Sequence, residues 1–114
     1  MKRNEALEQE YLATFAAEYD PSYPTIPVPG RMMLIRWVLY GTSGGDFCDA
    51  LVSNNLQGAV GHADTRYLAV LPAMVRWLYN RAPAQSIVTR GSNPDKIREW
   101  ANTGGLVGRH GADL

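Results

Sequence analysis

The stretch that decides the fold runs from residue 64 to residue 81 and reads DTRYLAVLPAMVRWLYNR. Its apolar side chains recur at helical spacing, which predicts a long amphipathic helix over residues 65–81. Asp64 is the expected N-cap, and Pro83 closes the helix. Pro72 lies inside the pattern, and because proline has no backbone N–H we expect a kink there. The predicted apolar stripe consists of Leu68, Leu71, Val75 and Leu78.

Two helices separated by a Pro-rich segment are predicted over residues 4–40. Residues 4–19 form helix 1, with an apolar side chain at every fourth position from Leu7. Four prolines between residues 20 and 30 exclude a helix there. That segment is either an extended strap packed on the core or a linker that lets helix 1 move. Residues 31–40 then form a second helix, apolar on nearly every side, which Gly41 ends.

Shorter elements complete the predicted core over residues 31–103. Ser43 opens a capping box before a third helix. Residues 84–92 form either a short strand or a loop, and Ser92 caps a last helix. Glycines from Gly104 onward predict a flexible tail over residues 104–114. The fold class is therefore mainly α, a compact single-domain bundle of about five helices over residues 1–114, with a Pro-rich strap after helix 1.

Composition narrows the classes of partner and compartment. The 114 residues carry 11 basic and 11 acidic side chains, so the balance does not favour binding to duplex DNA. One cysteine and the lack of a long apolar run predict a cytoplasmic protein with no membrane association. Two histidines, and no recognised catalytic or metal-binding motif, predict no enzyme activity, no metal and no cofactor. We interpret Cys48 as a buried, inert thiol and His62 as a structural or solvent-facing residue.

Two groups of residues are candidate binding sites. A phosphate or an acidic peptide is the expected ligand of a helix start carrying Arg90, Ser92 and Lys96. Aromatic and arginine side chains of the kinds enriched at interface hot spots form a candidate protein-binding face. The alternative for its two tryptophans is a place in the core, and self-association through the second helix is also expected. This candidate face consists of Trp37, Tyr40, Arg76, Trp77, Tyr79 and Arg81.

Residues 45–100 resemble a group of small proteins encoded by bacteriophages and related mobile elements. The resemblance rests on Gly45 to Phe47, Val52 to Leu56, Ala63–Asp64, Leu78 to Pro83, and Gly91–Ser92 followed by Trp100. It covers about half of the chain and contains no catalytic signature. The chain departs from the group at Asn55, where the group has an acidic residue, and over residues 85–90, which replace a shorter link.

The resemblance implies an accessory protein that binds a host protein or ribonucleoprotein. Inhibition of a host defence system, as anti-CRISPR proteins achieve it, is the expected role. The alternative hypothesis is a small-ligand or nucleotide-binding protein, acting as an oligomer that sequesters its ligand.

Overall fold

Seven α-helices and one 3₁₀ turn make up the computed structural model, which describes residues 3–18, 20–22, 24–89 and 91–110. No strand occurs in these residues, so the chain is mainly α as predicted, although with more helices than the expected five. The elements are α1 (Glu5–Ala17), α2 (Val28–Tyr40), α3 (Asp46–Val52), α4 (Leu56–His62), α5 (Thr65–Arg81), the 3₁₀ turn (Ala84–Ser86), α6 (Asp95–Asn102) and α7 (Gly105–His110).

Helix α5 has the bounds that its sequence predicts. The Asp64 side chain caps it by accepting a hydrogen bond of 2.8 Å from the backbone N–H of Tyr67. The predicted apolar stripe is only half correct, however, because Leu68 and Val75 are exposed. The side of α5 that faces the core carries Val70, Leu71, Met74, Trp77 and Leu78.

The connection between α1 and α2 is shorter than the predicted strap. Helix α2 begins at Val28 and not at residue 31, with Pro29 in its first turn, where a missing N–H breaks no helical hydrogen bond. Pro21 and Ser22 lie in a turn, and Ile26 is buried. An extended strap over residues 20–30 is therefore not what the structure shows.

Helix α2 forms the centre of the core. Its most buried residues are at most 1% exposed, and α1 and α7 both pack against it. Five of the eight large apolar residues that suggested self-association through this helix are thus buried within the chain itself. These central residues are Leu34, Ile35, Trp37, Val38 and Leu39.

The segment from residue 41 to residue 55 differs from its predicted capping pattern. Gly45, and not Ser43, occupies the N-cap of α3, and its φ of 104° is a conformation that glycine adopts without strain. The Ser43 hydroxyl instead donates to the Asp49 carboxylate at 2.6 Å. Asn55 caps α4 by accepting a hydrogen bond from the Gly58 backbone N–H at 3.0 Å.

Residues 105–110 form helix α7, so the prediction of a flexible tail is wrong for them; residues 111–114 lie outside the described part of the chain. The start of α7 meets the end of α2 through two glycines, Gly41 and Gly105, both with φ near 67°. A Cβ built at Gly105 would lie only 2.5 Å from the backbone nitrogen of Gly41. This close approach lets α7 cover the end of α2.

All three tryptophans lie in the core, each about 1% exposed, and each indole N–H is hydrogen-bonded. Trp37 donates to the Ser86 carbonyl, Trp100 to the Trp37 carbonyl, and Trp77 to the Thr14 hydroxyl. The radius of gyration is 13.5 Å, near the roughly 13 Å of a compact domain of this length. Among the described residues, no helix has the length and apolarity needed to cross a bilayer.

Candidate functional site

The structure separates the six residues of the candidate protein-binding face. Trp37 and Trp77 are buried, which answers the question left open for them: both belong to the core. Tyr79 is 77% exposed, and Arg76 and Arg81 are also at the surface. The six residues therefore do not form one surface, and only the three on α5 that face solvent remain available to a partner.

Tyr40 is half-buried in the contact between α1 and α2. Its hydroxyl donates to the Glu8 carboxylate at 2.5 Å and accepts the backbone N–H of Asn4 at 2.9 Å. Arg3 donates two further hydrogen bonds to Glu8, which is only 4% exposed. The hydrogen bonds from Arg3 and Tyr40 lower the pKa of Glu8 to about 2. Tyr40 thus fastens α1 to α2 and presents no free hydroxyl for binding.

Two arginines of α5 hold the end of α1 and the residues that follow it. Arg81 donates to Glu18 at 2.7 Å, and Arg76 donates to Asp20 at 3.0 Å. The pKa of Glu18 is lowered, first by its hydrogen bond from Arg81. The pKa of Asp20 is also lowered, first by the backbone N–H of Ser22 and then by Arg76. Both pairs neutralise charge along this side of α5.

The outer side of α5 carries a row of exposed apolar residues, here called the α5 stripe: Leu68, Pro72, Val75 and Tyr79. Their spacing of four, three and four residues places them within a narrow arc of the helix, about 16 Å long. Leu68, Val75 and Tyr79 are 42%, 48% and 77% exposed. Pro72, which has no backbone N–H to donate, is itself exposed on this side of the helix.

A groove of about 440 Å³ lies beside the stripe, between α1, residues 24–26, the start of α2 and α5. Phe15 of α1 stacks on Trp77 of α5, with ring centroids 4.5 Å apart and planes 6° from parallel. Because the Trp77 indole N–H is already bonded to Thr14, this aromatic layer presents no unmet polar group to the groove. The apolar lining residues are Leu12, Phe15, Ala16, Pro24, Ile26, Ala73 and Trp77.

Four charged residues also line the groove, and three of them are already paired. Glu18 is bonded to Arg81, and Asp20 is bonded to Arg76. The fourth, Arg31, is half-buried, and its Nε donates to the Ile26 carbonyl at 2.7 Å. Within the described part of the chain, its two terminal nitrogens make no hydrogen bond or ion pair. Arg31 is therefore the one charged lining residue, among those described, that is not in an ion pair.

The candidate anion site is only partly described, since Arg90 lies outside the described residues. Helix α6 begins at Asp95, and Ser92 does not cap it. The Ser92 hydroxyl donates to the Thr89 carbonyl and accepts the Thr89 backbone N–H, both at 2.8 Å. Lys96 is half-buried in the first turn of α6. The Ser92 hydroxyl is thus used within its own turn.

Two further residues that the sequence singles out, Cys48 and His62, lie in different surroundings. Cys48 is fully buried, and burial raises the pKa of its thiol to about 11. His62 is exposed and lines an open depression of about 400 Å³ together with Arg36 and Ser43. No three His, Cys, Asp or Glu side chains among the described residues lie close enough to hold a metal ion.

Comparison of the chain with protein-family models, with curated proteins and with solved structures finds no match. Sequence reasoning named Arg76 and Tyr79 but missed Arg31 and the walls of the groove. The helical spacing of Leu68, Val75 and Tyr79 is visible in the sequence. The buried residues of α5 show helical spacing as well, so spacing alone does not tell the exposed side from the buried side.

Proposed function

We propose that the protein is a non-enzymatic binding protein and that a partner protein docks on the α5 stripe. The observation that carries the proposal is that three of the six exposed large apolar side chains among the described residues, Leu68, Val75 and Tyr79, lie on one side of α5. Isolated exposed apolar residues are ordinary on a protein surface, but a continuous row along one helix is typical of an interaction site. Tyrosine is also among the residues most enriched at interface hot spots.

The partner expected from this geometry presents an apolar ridge that packs along about 16 Å of helix. Arg76 borders the stripe and retains N–H donors beyond the one that it gives to Asp20. A host protein or ribonucleoprotein of the bacterium that carries the mobile element is the partner that the phage resemblance favours. Inhibition of a host defence system remains the proposed role of such binding.

The test exchanges exposed apolar residues of the stripe for glutamine, which is polar and favours helix. Val75→Gln and Tyr79→Gln together should weaken partner binding by at least about 30-fold, the loss expected on removing one hot spot of about 2 kcal/mol. Leu56→Gln is the matched control, because Leu56 is 69% exposed on α4, outside the stripe. Binding is measured by titration of the partner obtained from a host lysate with tagged protein.

Two outcomes contradict this proposal. Equal loss of binding in the Leu56→Gln control would mean that the stripe is not the docking surface. A dimer of the wild-type protein that the stripe variant converts to a monomer would mean that the stripe binds a second copy of the chain. Sedimentation of both proteins at the same concentration distinguishes the second outcome.

A small-ligand function, the second candidate from the sequence, is favoured by the groove and not by the stripe. The groove volume of about 440 Å³ lies within the roughly 300–1,000 Å³ of small-molecule sites. Seven of its twelve lining residues are apolar, and small-molecule sites are likewise lined mainly by apolar side chains.

A further inference from the structure

We infer that the groove between α1 and α5 binds a small amphipathic carboxylate, with the apolar body in the groove and the carboxylate on Arg31. This inference deepens the small-ligand candidate. The inference does not depend on protein docking, because Arg31 lines the groove and none of the stripe residues does. The two proposals can therefore fail separately.

The shape and lining of the groove favour a ligand whose main part is apolar. Its walls come from α1, α5 and residues 24–26, and they offer half-buried Leu12, Phe15 and Ala73 to a bound molecule. The Phe15–Trp77 stack adds a flat aromatic surface with its only indole donor already satisfied. Transfer of an alkyl or aryl group from water into this groove is favourable because it removes apolar surface from water.

The charged residues that line the groove favour a ligand with a single negative charge. Glu18 and Asp20 are each held by an arginine of α5, which neutralises both carboxylates. Arg31 is then the one charged lining residue, among those described, that is not in an ion pair. A half-buried guanidinium in an apolar groove favours an anion, because such a setting strengthens the attraction relative to open water.

The attachment of Arg31 favours a carboxylate. Its Nε is bonded to the Ile26 carbonyl at 2.7 Å, which fixes the plane of the guanidinium. The two terminal nitrogens remain, and together they form the planar pair of donors that binds both oxygens of one carboxylate. A ligand with one carboxylate and a compact apolar chain satisfies the cation and the groove at the same time.

The experiment uses octanoate as the probe in isothermal titration calorimetry on the full chain. Octanoate should bind with a stoichiometry of one, whereas acetate, which lacks the apolar body, should not bind detectably. Octan-1-ol should bind at least about tenfold more weakly than octanoate, because it loses the charge-assisted hydrogen bonds. No octanoate binding at millimolar concentration, or equal binding of octan-1-ol, would overturn the inference.

Variants then assign the site. Arg31→Gln should lower octanoate affinity about tenfold or more, and Arg31→Lys should restore part of it because the charge returns. Arg36→Gln is the matched control: it removes the same charge from the same helix, outside the groove, and should leave binding unchanged. An Arg31→Gln protein that binds octanoate as tightly as the wild type contradicts the assignment.

A filled groove provides a test that does not involve Arg31. Ala73→Leu adds apolar volume to the wall formed by α5 and should abolish binding of octanoate while the circular dichroism spectrum stays helical. If Arg31→Gln does not fold, Ala73→Leu still tests whether octanoate binds in the groove. Unchanged affinity in Ala73→Leu would show that octanoate binds elsewhere. Val75→Gln with Tyr79→Gln should leave octanoate binding intact, which separates this site from the docking stripe.

Discussion

Replacement of Gly105 by alanine should destabilise the protein strongly, because two separate costs act at this position. Gly105 has a φ of 68°, and a residue with a Cβ in this left-handed region costs about 1–2 kcal/mol. The added Cβ would also lie 2.5–2.7 Å from three backbone atoms of Leu39, Tyr40 and Gly41. Overpacking against backbone that cannot move aside costs about 1–3 kcal/mol. The expected loss is therefore about 2–5 kcal/mol.

Two other glycines separate these costs. Gly91 has a φ of 81° and open space around its Cβ position, so Gly91→Ala should lose only the conformational part, about 1–2 kcal/mol. Gly61 lies within α4 without a positive φ and without close neighbours, so Gly61→Ala should gain about 0.5–1 kcal/mol. The assay is urea unfolding followed by circular dichroism at 222 nm. A Gly105→Ala protein no less stable than Gly91→Ala would refute the proposed close contact between α2 and α7.

Three further predictions concern buried polar groups. The pKa of Glu8 is lowered to about 2, so the stability contributed by its ionised carboxylate is fully present above its ordinary pKa of 4.5 and is lost as the pH falls toward 2. Glu8→Gln should therefore flatten this part of a plot of the urea unfolding midpoint against pH. An unchanged plot would contradict this role of Glu8. Thr14→Val should cost about 1–3 kcal/mol because it leaves the Trp77 indole N–H unpaired, whereas a neutral result in urea unfolding would mean that water replaces the hydroxyl. Cys48 should not react with a thiol reagent at pH 8 until denaturant is added, because burial raises its pKa to about 11; rapid labelling of the native protein would show that the thiol is accessible.

The sequence predicts best those elements whose limits are set by local signals. Helix α5 has an aspartate cap at Asp64 and a proline after its end, and its bounds were predicted correctly. Helix α7 has no such signals, because its residues GLVGRH contain two glycines and little apolar periodicity. It forms where Gly105 can approach Gly41, which is 64 residues away in the chain. A contact of this range is not visible in a local pattern.

The candidate site was predictable only in part for a related reason. Helix α5 carries apolar residues on both its buried and its exposed side, so its pattern alone does not show which side faces the core, and Leu68 and Val75 were assigned to the wrong side. Arg31 and Phe15 were not recognised as neighbours of one groove because they come from different helices, and Ala73 comes from a third. Tyr79, whose residue type suggested the candidate protein-binding face, is exposed in the structure.

Hydrogen exchange of the protein with and without its partner tests the central claim most directly. Docking on the α5 stripe should slow exchange of the backbone amides between residues 68 and 79 in the complex, because the partner suppresses local opening of this helix. Amides of α4, which carries the control residue Leu56, should exchange at the same rate in both states. Protection confined to α4 or α6, with α5 unchanged, would contradict the claim that the stripe is the docking surface.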